Sequence, residues 1–341
     1  MSTRLESPDR QQTVTAPAER PTPLRHRLLG PRYALTLVLI AMIVAFSVLP
    51  ASGIAFRSPE NVQAMLANQA VGLTVALALL FPMAAGYFDF SVGAVTAMSS
   101  VVAATALSRF GLPLPVAVTL AIVSGALVGL LLGVLVAVWD MNGFIATLGA
   151  ATLLGGVIFA YTGGLQITDG IPAGLTDQGS LDIAGVPRIA VLAAVLAAAA
   201  WFVTSHTPFG RQLFATGSNA RAAELVGVRV VRVRLLSFVL SGTMAGIAGV
   251  LLLARQGAAT SDNGMTMLFP ALTAVLLSTI TLDLGRPSVA GTVIGILFVA
   301  VSVSGLTLLG APAWVGPVFN GGALLAAVAF TRLAAGAVRS G

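Results

Sequence analysis

The sequence predicts an all-α polytopic membrane protein with about ten transmembrane helices. Three observations carry that prediction. Charged residues make up 9% of the chain and hydrophobic residues 57%, with a mean hydropathy of +0.97; a soluble domain carries roughly 25% charged residues. Apolar runs long enough for a spanning helix of about 20 residues recur along the whole chain. The basic residues, every one an arginine, concentrate in the first 32 residues and in a loop at 206–234. Arginine-rich short segments resist translocation, so both belong in the cytoplasm.

The segment 1–32 is rich in Pro, Thr, Gln and Arg and is expected to be a disordered cytoplasmic tail. A transmembrane unit then occupies 33–333. Its first span, 33–49, is long for a signal-peptide core and has many spans after it, so no cleavage is expected. An outer loop with Arg57 and Glu60 leads to the second span, 62–81. In PMAAGYFDFSVGAVTAMSS (82–100), Pro82 and Gly86 interrupt the apolar run, and Asp89 sits between Phe88 and Phe90. A broken helix with an acid at its restart builds a polar site inside a bilayer. The same acid can instead simply cap the helix that starts near Ser91. The sequence leaves both readings open.

The third span closes near Leu107, before a turn at 109–115. The fourth, 116–138, carries Gly125, Gly129 and Gly133 at four-residue spacing, which lets helix backbones approach closely. An interfacial turn, 139–142, leads to the fifth span, 143–161. The loop 162–188 sets Asp169, Asp177 and Asp182 against Arg188, lacks a basic excess and is placed outside. The sixth span is 189–203. After the basic loop comes the seventh, 235–253, with Gly242, Gly246 and Gly249. The eighth (265–282) contains Pro270; Asp283 and Arg286 flank an inner turn; the ninth and tenth are 288–309 and 313–330. A cytoplasmic tail, 334–341, ends the chain. An echo links 91–118 with 288–317 and suggests a parallel duplication.

The basic loop, HTPFGRQLFATGSNARAAELVGVRVVRVR, also looks folded. It sets Arg211, Arg221, Arg229, Arg232 and Arg234 against Glu224 alone. Ser218 or Asn219 can cap a helix over 220–226, and Gly227 suits the residue after its end. Ala222, Ala223 and Val226 are expected to share one small apolar face. So short a helix is marginal alone, which suggests that a cytoplasmic partner holds it in a groove. The competing reading is a solvated loop that only sets topology.

Several chemistries are disfavoured. Without lysine the chain cannot form the phosphate-cradling G-x-x-x-x-G-K-[ST] loop, so it cannot power itself by that route. The absence of cysteine excludes thiol chemistry and Cys-based zinc sites, His26 and His206 lie too far apart in sequence to suggest a His-ligated metal site, and no cofactor is expected. Neither H-E-x-x-H nor G-x-S-x-G occurs, so an intramembrane enzyme is a poor fit. The net charge of +6 points to orientation and to anionic membrane lipid rather than nucleic acid.

Four segments carry a family resemblance: DFSVGAVTAMSS, NGFIATLGAATLLGGVIFAYTGG, the stretch from HTPFGR to VLLLAR, and LFPALTAVLLSTITLDLGRPSVAGTVIGIL. In that order they resemble the membrane permease subunits of ribose-type ABC sugar importers, and more distantly the branched-chain amino-acid permeases. The resemblance spans about 60–333 and is most specific at 207–254. It implies the ABC importer permease fold in the plasma membrane, import of a sugar or sugar-like solute, and no catalysis by this chain. It implies three partners: an ABC ATP-binding subunit, an extracytoplasmic substrate-binding protein, and a second permease subunit. The family's ATPase-coupling loop falls on Gly217, Asn219, Ala222, Ala223 and Gly227, with Arg221 and Glu224 in the same stretch. Its D-[LF]-S-V-G signature falls on Asp89, Phe90, Ser91, Val92 and Gly93, near the translocation path. The binding protein is expected at the outer loop with Asp169, Asp177, Asp182 and Arg188. The segment 276–288 departs from the family's glycine-rich pattern and keeps only Gly285 of it. That leaves open a homodimer or a pairing with a different permease. A branched-chain amino-acid or nucleoside permease, or a self-contained channel or secondary transporter, are the alternatives.

Overall fold

The computed structural model describes residues 33–50, 52–260, 263–282 and 285–339. The tail 1–32, Asp283, and the side chains of Arg332 and Arg339 lie outside the described residues. The elements are α1 (Ala34–Val48), α2 (Gly53–Phe56), α3 (Pro59–Ala84), α4 (Val92–Ser108), α5 (Leu114–Gly133, prolonged by a π-helical turn, Val134–Val138) and α6 (Gly143–Thr162). Next come α7 (Ala173–Ser180), the strands β1 (Asp182–Ile183) and β2 (Val186–Pro187), α8 (Arg188–His206), α9 (Pro208–Ser218) and α10 (Ala220–Leu225). The chain continues with α11 (Val230–Gln256), α12 (Asn263–Ser278), α13 (Val289–Leu308) and α14 (Val315–Arg339). Among the described residues six helices are long and apolar enough to cross a membrane: α3, α5 with its π turn, α6, α8, α11 and α13. Four shorter apolar helices, Ala34–Val48, Val92–Ser108, Thr266–Ser278 and Val315–Ala329, accompany them.

Helix α11 is the axis of the packing and touches α3, α4 and α5. The two glycine runs, each readable in the sequence as a close-packing surface, face each other across α5 and α11. A Cβ on Gly125 would lie 2.9 Å from the Gly246 Cα, and one on Gly129 would lie 3.1 Å from the Gly242 Cα. Gly249 faces α4 instead, where a Cβ would lie 2.8 Å from the Ser100 amide nitrogen. Backbones this close gain dispersion contacts, which matter most where lipid removes the hydrophobic drive for helices to pair.

Helix α3 begins with Ser58, whose hydroxyl accepts from the Asn61 N–H at 3.2 Å, and with Pro59 in its first turn. Its second half, Val75 to Phe81, is buried on all sides. Helices α6 and α8 instead turn Leu153, Val157, Phe159, Val195, Trp201 and Phe202 outward. Such faces belong against lipid or another chain.

The segment 162–188, expected as a loop, is built. It contains α7 and an antiparallel hairpin in which Asp182 pairs with Pro187. The hairpin turn, Ala184 (φ 51) and Gly185 (φ 83), has positive φ at both positions, as a two-residue turn of this hand requires. Helix α14 runs to Arg339, past the expected start of a tail at 334. The echo between 91–118 and 288–317 corresponds to two similar local units. In each, a serine (Ser91, Ser288) precedes the helix and a positive-φ glycine (Gly111, Gly310) follows it.

Candidate functional site

The break between α3 and α4 is held by hydrogen bonds at every turn. Pro82 lies in the last turn of α3, and Gly86 at φ 91 redirects the chain. Asp89, 3% exposed, then spends both carboxylate oxygens. Oδ1 accepts from the Ser91 N–H at 3.0 Å and the Ser91 hydroxyl at 2.5 Å, and Oδ2 accepts from the Ser241 hydroxyl of α11 at 2.8 Å. The Phe90 N–H donates to Thr147 Oγ1 of α6 at 3.2 Å. The break is thus tied to two neighbouring helices. Of the two sequence readings, simple capping does not describe it: Ser91 occupies the cap position, and Asp89 reaches across to α11. Phe90 packs edge-on against Phe144, with ring centroids 5.2 Å apart, and Gly93 is buried in the first turn of α4. At the same end of α11, the Arg234 guanidinium lies 5.1 Å from the Tyr87 ring centroid.

The basic segment folds as two helices. Sequence reasoning missed α9, although its signals were present. The Thr207 hydroxyl accepts from the Gly210 N–H at 3.2 Å and Pro208 opens the helix. Leu213 is fully buried on its inner face. Asn219 caps α10, its Oδ1 accepting from the Ala222 N–H at 3.0 Å. Gly227, at φ 86, closes the segment while the Val228 N–H donates to the Ala223 carbonyl at 3.0 Å.

Two expectations about this segment are corrected. Ala222, Ala223 and Val226 do not share a face: Ala223 is 4% exposed, while Ala222 is exposed and Val226 is 80% exposed. The outward surface of α10 and its C-cap consists of Arg221, Ala222, Glu224, Leu225 and Val226. Also, Arg232 and Arg234 are not loop residues but lie in the first turns of α11.

Gly217 joins the two regions. A Cβ there would meet the Ala84 carbonyl oxygen and lie 3.0 Å from the Ala84 carbonyl carbon and 3.2 Å from that of Ala85. Gly86, reciprocally, sits over Gly217, a Cβ there falling 3.5 Å from the Gly217 Cα. The last turn of α9 therefore bears on the backbone that leads into Asp89.

The four residues expected on an outer loop are spread over separate elements. Asp169 is exposed ahead of α7, and Asp177 is half-buried on α7. Asp182 accepts from the Gly185 N–H at 3.0 Å in the hairpin, and Arg188, half-buried, starts α8. Only Asp182 and Arg188 share a local unit. Sequence reasoning also missed Ser241 and Thr147. Each lies in an apolar helix, and only the fold gives it a partner.

Residues 61–328 match the family described as branched-chain amino acid transport system / permease component. The ribose import permease protein of Haemophilus influenzae is 30% identical over 273 residues, covering 79% of this chain and 84% of that protein. The autoinducer 2 import system permease protein of Salmonella typhi is 32% identical over 292 residues, covering 86% and 84%. Its counterpart in Escherichia coli is 32% identical over 275 residues, covering 81% and 80%. No solved structure matches the chain.

Proposed function

Because the chain belongs to the branched-chain amino acid transport system / permease component family, we propose that it is the permease subunit of an ATP-driven ABC importer for a sugar or sugar-like solute. The relatives named for ribose and autoinducer 2 import supply the solute class. The six long helices and four shorter apolar ones make ten spans in the plasma membrane. Both termini and α9–α10 lie in the cytoplasm, and α7 with the hairpin lies outside.

One observation carries the mechanism: α10 offers Leu225 (86% exposed) and Val226 to a partner, while Gly217 bears directly on the Ala84–Gly86 backbone. An ATP-binding subunit that grips α10 and closes on ATP displaces α9. The displacement reaches the break through Gly217. From there Asp89 passes it to α11 through Ser241, and the Phe90 N–H passes it to α6 through Thr147. The pathway opens alternately to the two sides, and hydrolysis in the partner resets it. Asp89 acts as a latch rather than a solute ligand, since it is buried and held by three donors of its own chain. A second permease, identical or different, completes the pathway. Gly149, Gly155 and Gly156 of α6, where an added Cβ would meet nothing within 4 Å, give it a face for close approach. A substrate-binding protein docks on the outer side at the surface that carries Asp169, Asp177, Asp182 and Arg188.

The test is reconstitution of the chain with its ATP-binding subunit and binding protein in liposomes. Labelled solute should accumulate only with ATP and all three components. Accumulation by the chain alone would make it a channel or secondary transporter.

A further inference from the structure

Beside α9 lies a cavity of about 520 Å³. Two arginines line it from separate elements, Arg211 on α9 and Arg286 just ahead of α13. Ser205, at the end of α8, adds a hydroxyl, whereas that of its neighbour Thr204 already donates to the Ala200 carbonyl at 2.8 Å. Among the described residues no carboxylate lines it. Val289 and Ala290, the first residues of α13, also line it. Their N–H groups precede the first helical hydrogen bond, and the serine cap serves the next one, Gly291, at 3.2 Å. Trp201 forms part of the wall and is half-exposed on the outward face of α8, beside the exposed Phe202.

We propose that this cavity binds the phosphate headgroup of an anionic phospholipid. The ligand chemistry follows from the wall: planar guanidiniums make paired hydrogen bonds to phosphate oxygens, and the Ser205 hydroxyl and the first N–H groups of α13 serve the remaining oxygens. The source is lipid rather than free phosphate because the polar wall is continuous with an apolar outward face, where acyl chains can lie along α8. A tryptophan at that junction suits the headgroup level of a bilayer, and basic pockets between spans suit anionic headgroups. The proposed topology serves only to name the leaflet, the cytoplasmic one; the binding itself does not depend on it. A lipid seated here braces α9 against the start of α13, on the segment through which coupling passes.

The test uses the purified full chain carrying W139F and W314F, which leaves Trp201 as the one tryptophan. In a neutral detergent it is titrated with acyl-brominated phosphatidylglycerol or acyl-brominated phosphatidylcholine, and quenching of Trp201 is followed. Phosphatidylglycerol should quench at a concentration lower by roughly an order of magnitude or more, since each arginine contributes about fivefold. R211Q/R286Q should bring the two curves together, each single variant should lose part of the preference, and R211K/R286K, which keeps the charge but not the paired hydrogen bonds, should retain only part of it. Inorganic phosphate should leave the preference unchanged. Equal curves in the starting protein, or a preference that survives R211Q/R286Q, would overturn the proposal. Loss of the preference on adding inorganic phosphate would reassign the site to a soluble anion. Gel filtration checks folding, and if the double variant aggregates the single and lysine variants still decide the matter.

Discussion

Gly217→Ala tests the mechanical link between the basic segment and the break in the membrane helices. The added methyl would press on the Ala84 carbonyl and lie 3.0 Å and 3.2 Å from the carbonyl carbons of Ala84 and Ala85. All three are backbone atoms, so no rotamer change relieves the contact; α9 must lift away from the end of α3. Overpacking of this kind costs about 1–3 kcal/mol. The gain in helix propensity returns at most about 1 kcal/mol, because Gly217 lies in the last turn of α9. The net, roughly 1–2 kcal/mol, corresponds to a factor of about 5–30 in the population of the docked arrangement. ATP-dependent uptake in liposomes should fall by that factor, while the ATP-binding subunit still co-purifies and still hydrolyses ATP. Gly174→Ala, at a helical glycine whose Cβ would meet nothing within 4 Å, is the control and should transport normally. Normal uptake by Gly217→Ala would show that this contact transmits nothing.

Further outcomes follow from the same geometry. Leu225→Asp should remove one large aliphatic side chain from the docking surface, worth about 1.5–3 kcal/mol, and weaken co-purification of the ATP-binding subunit at least tenfold without lowering the amount of chain in the membrane. Asp89→Ala leaves the Ser91 and Ser241 donors without their acceptor; at about 1–3 kcal/mol per unsatisfied buried group, it should lower the apparent melting temperature in detergent by several degrees more than Ser241→Ala does. Joint neutralisation of Asp169, Asp177, Asp182 and Arg188 should slow uptake at low binding-protein concentration and spare it at saturation, because rim charges act on encounter rate; uptake that is unchanged at every concentration and salt level would remove this surface from the docking site.

The sequence made some of this plain, and the reasons differ by element. The apolar runs located a helix at every expected span, because they follow from local composition. The spacing of Gly125 and Gly129, and of Gly242 and Gly246, marked two close-packing faces, but their mutual contact is a tertiary fact with no local signature. Helix α9 was legible in Thr207 and Pro208, and the weight of arginines around it hid the signal. The face of α10 was misread at Ala223, which packs inward while Ala222 and Val226 stay exposed. Its six residues make under two turns, so burial is decided by what lies beside it, and the exposed pair Leu225–Val226 could not be told from a buried one. Asp89 was singled out correctly as unusual for an apolar run, yet its role depends on Ser241, which is far away in the chain and nondescript in sequence.

Crosslinking from α10 tests the central claim most directly. The chain has no native cysteine, so Leu225→Cys, Arg221→Cys and, on the β1–β2 hairpin, Asp182→Cys each place a single thiol. With a short thiol-reactive photo-crosslinker in the active, reconstituted complex, positions 225 and 221 should form adducts with the ATP-binding subunit, and 182 should not. An active complex in which neither 225 nor 221 reaches that subunit would contradict the assignment of α9 and α10 as the coupling segment.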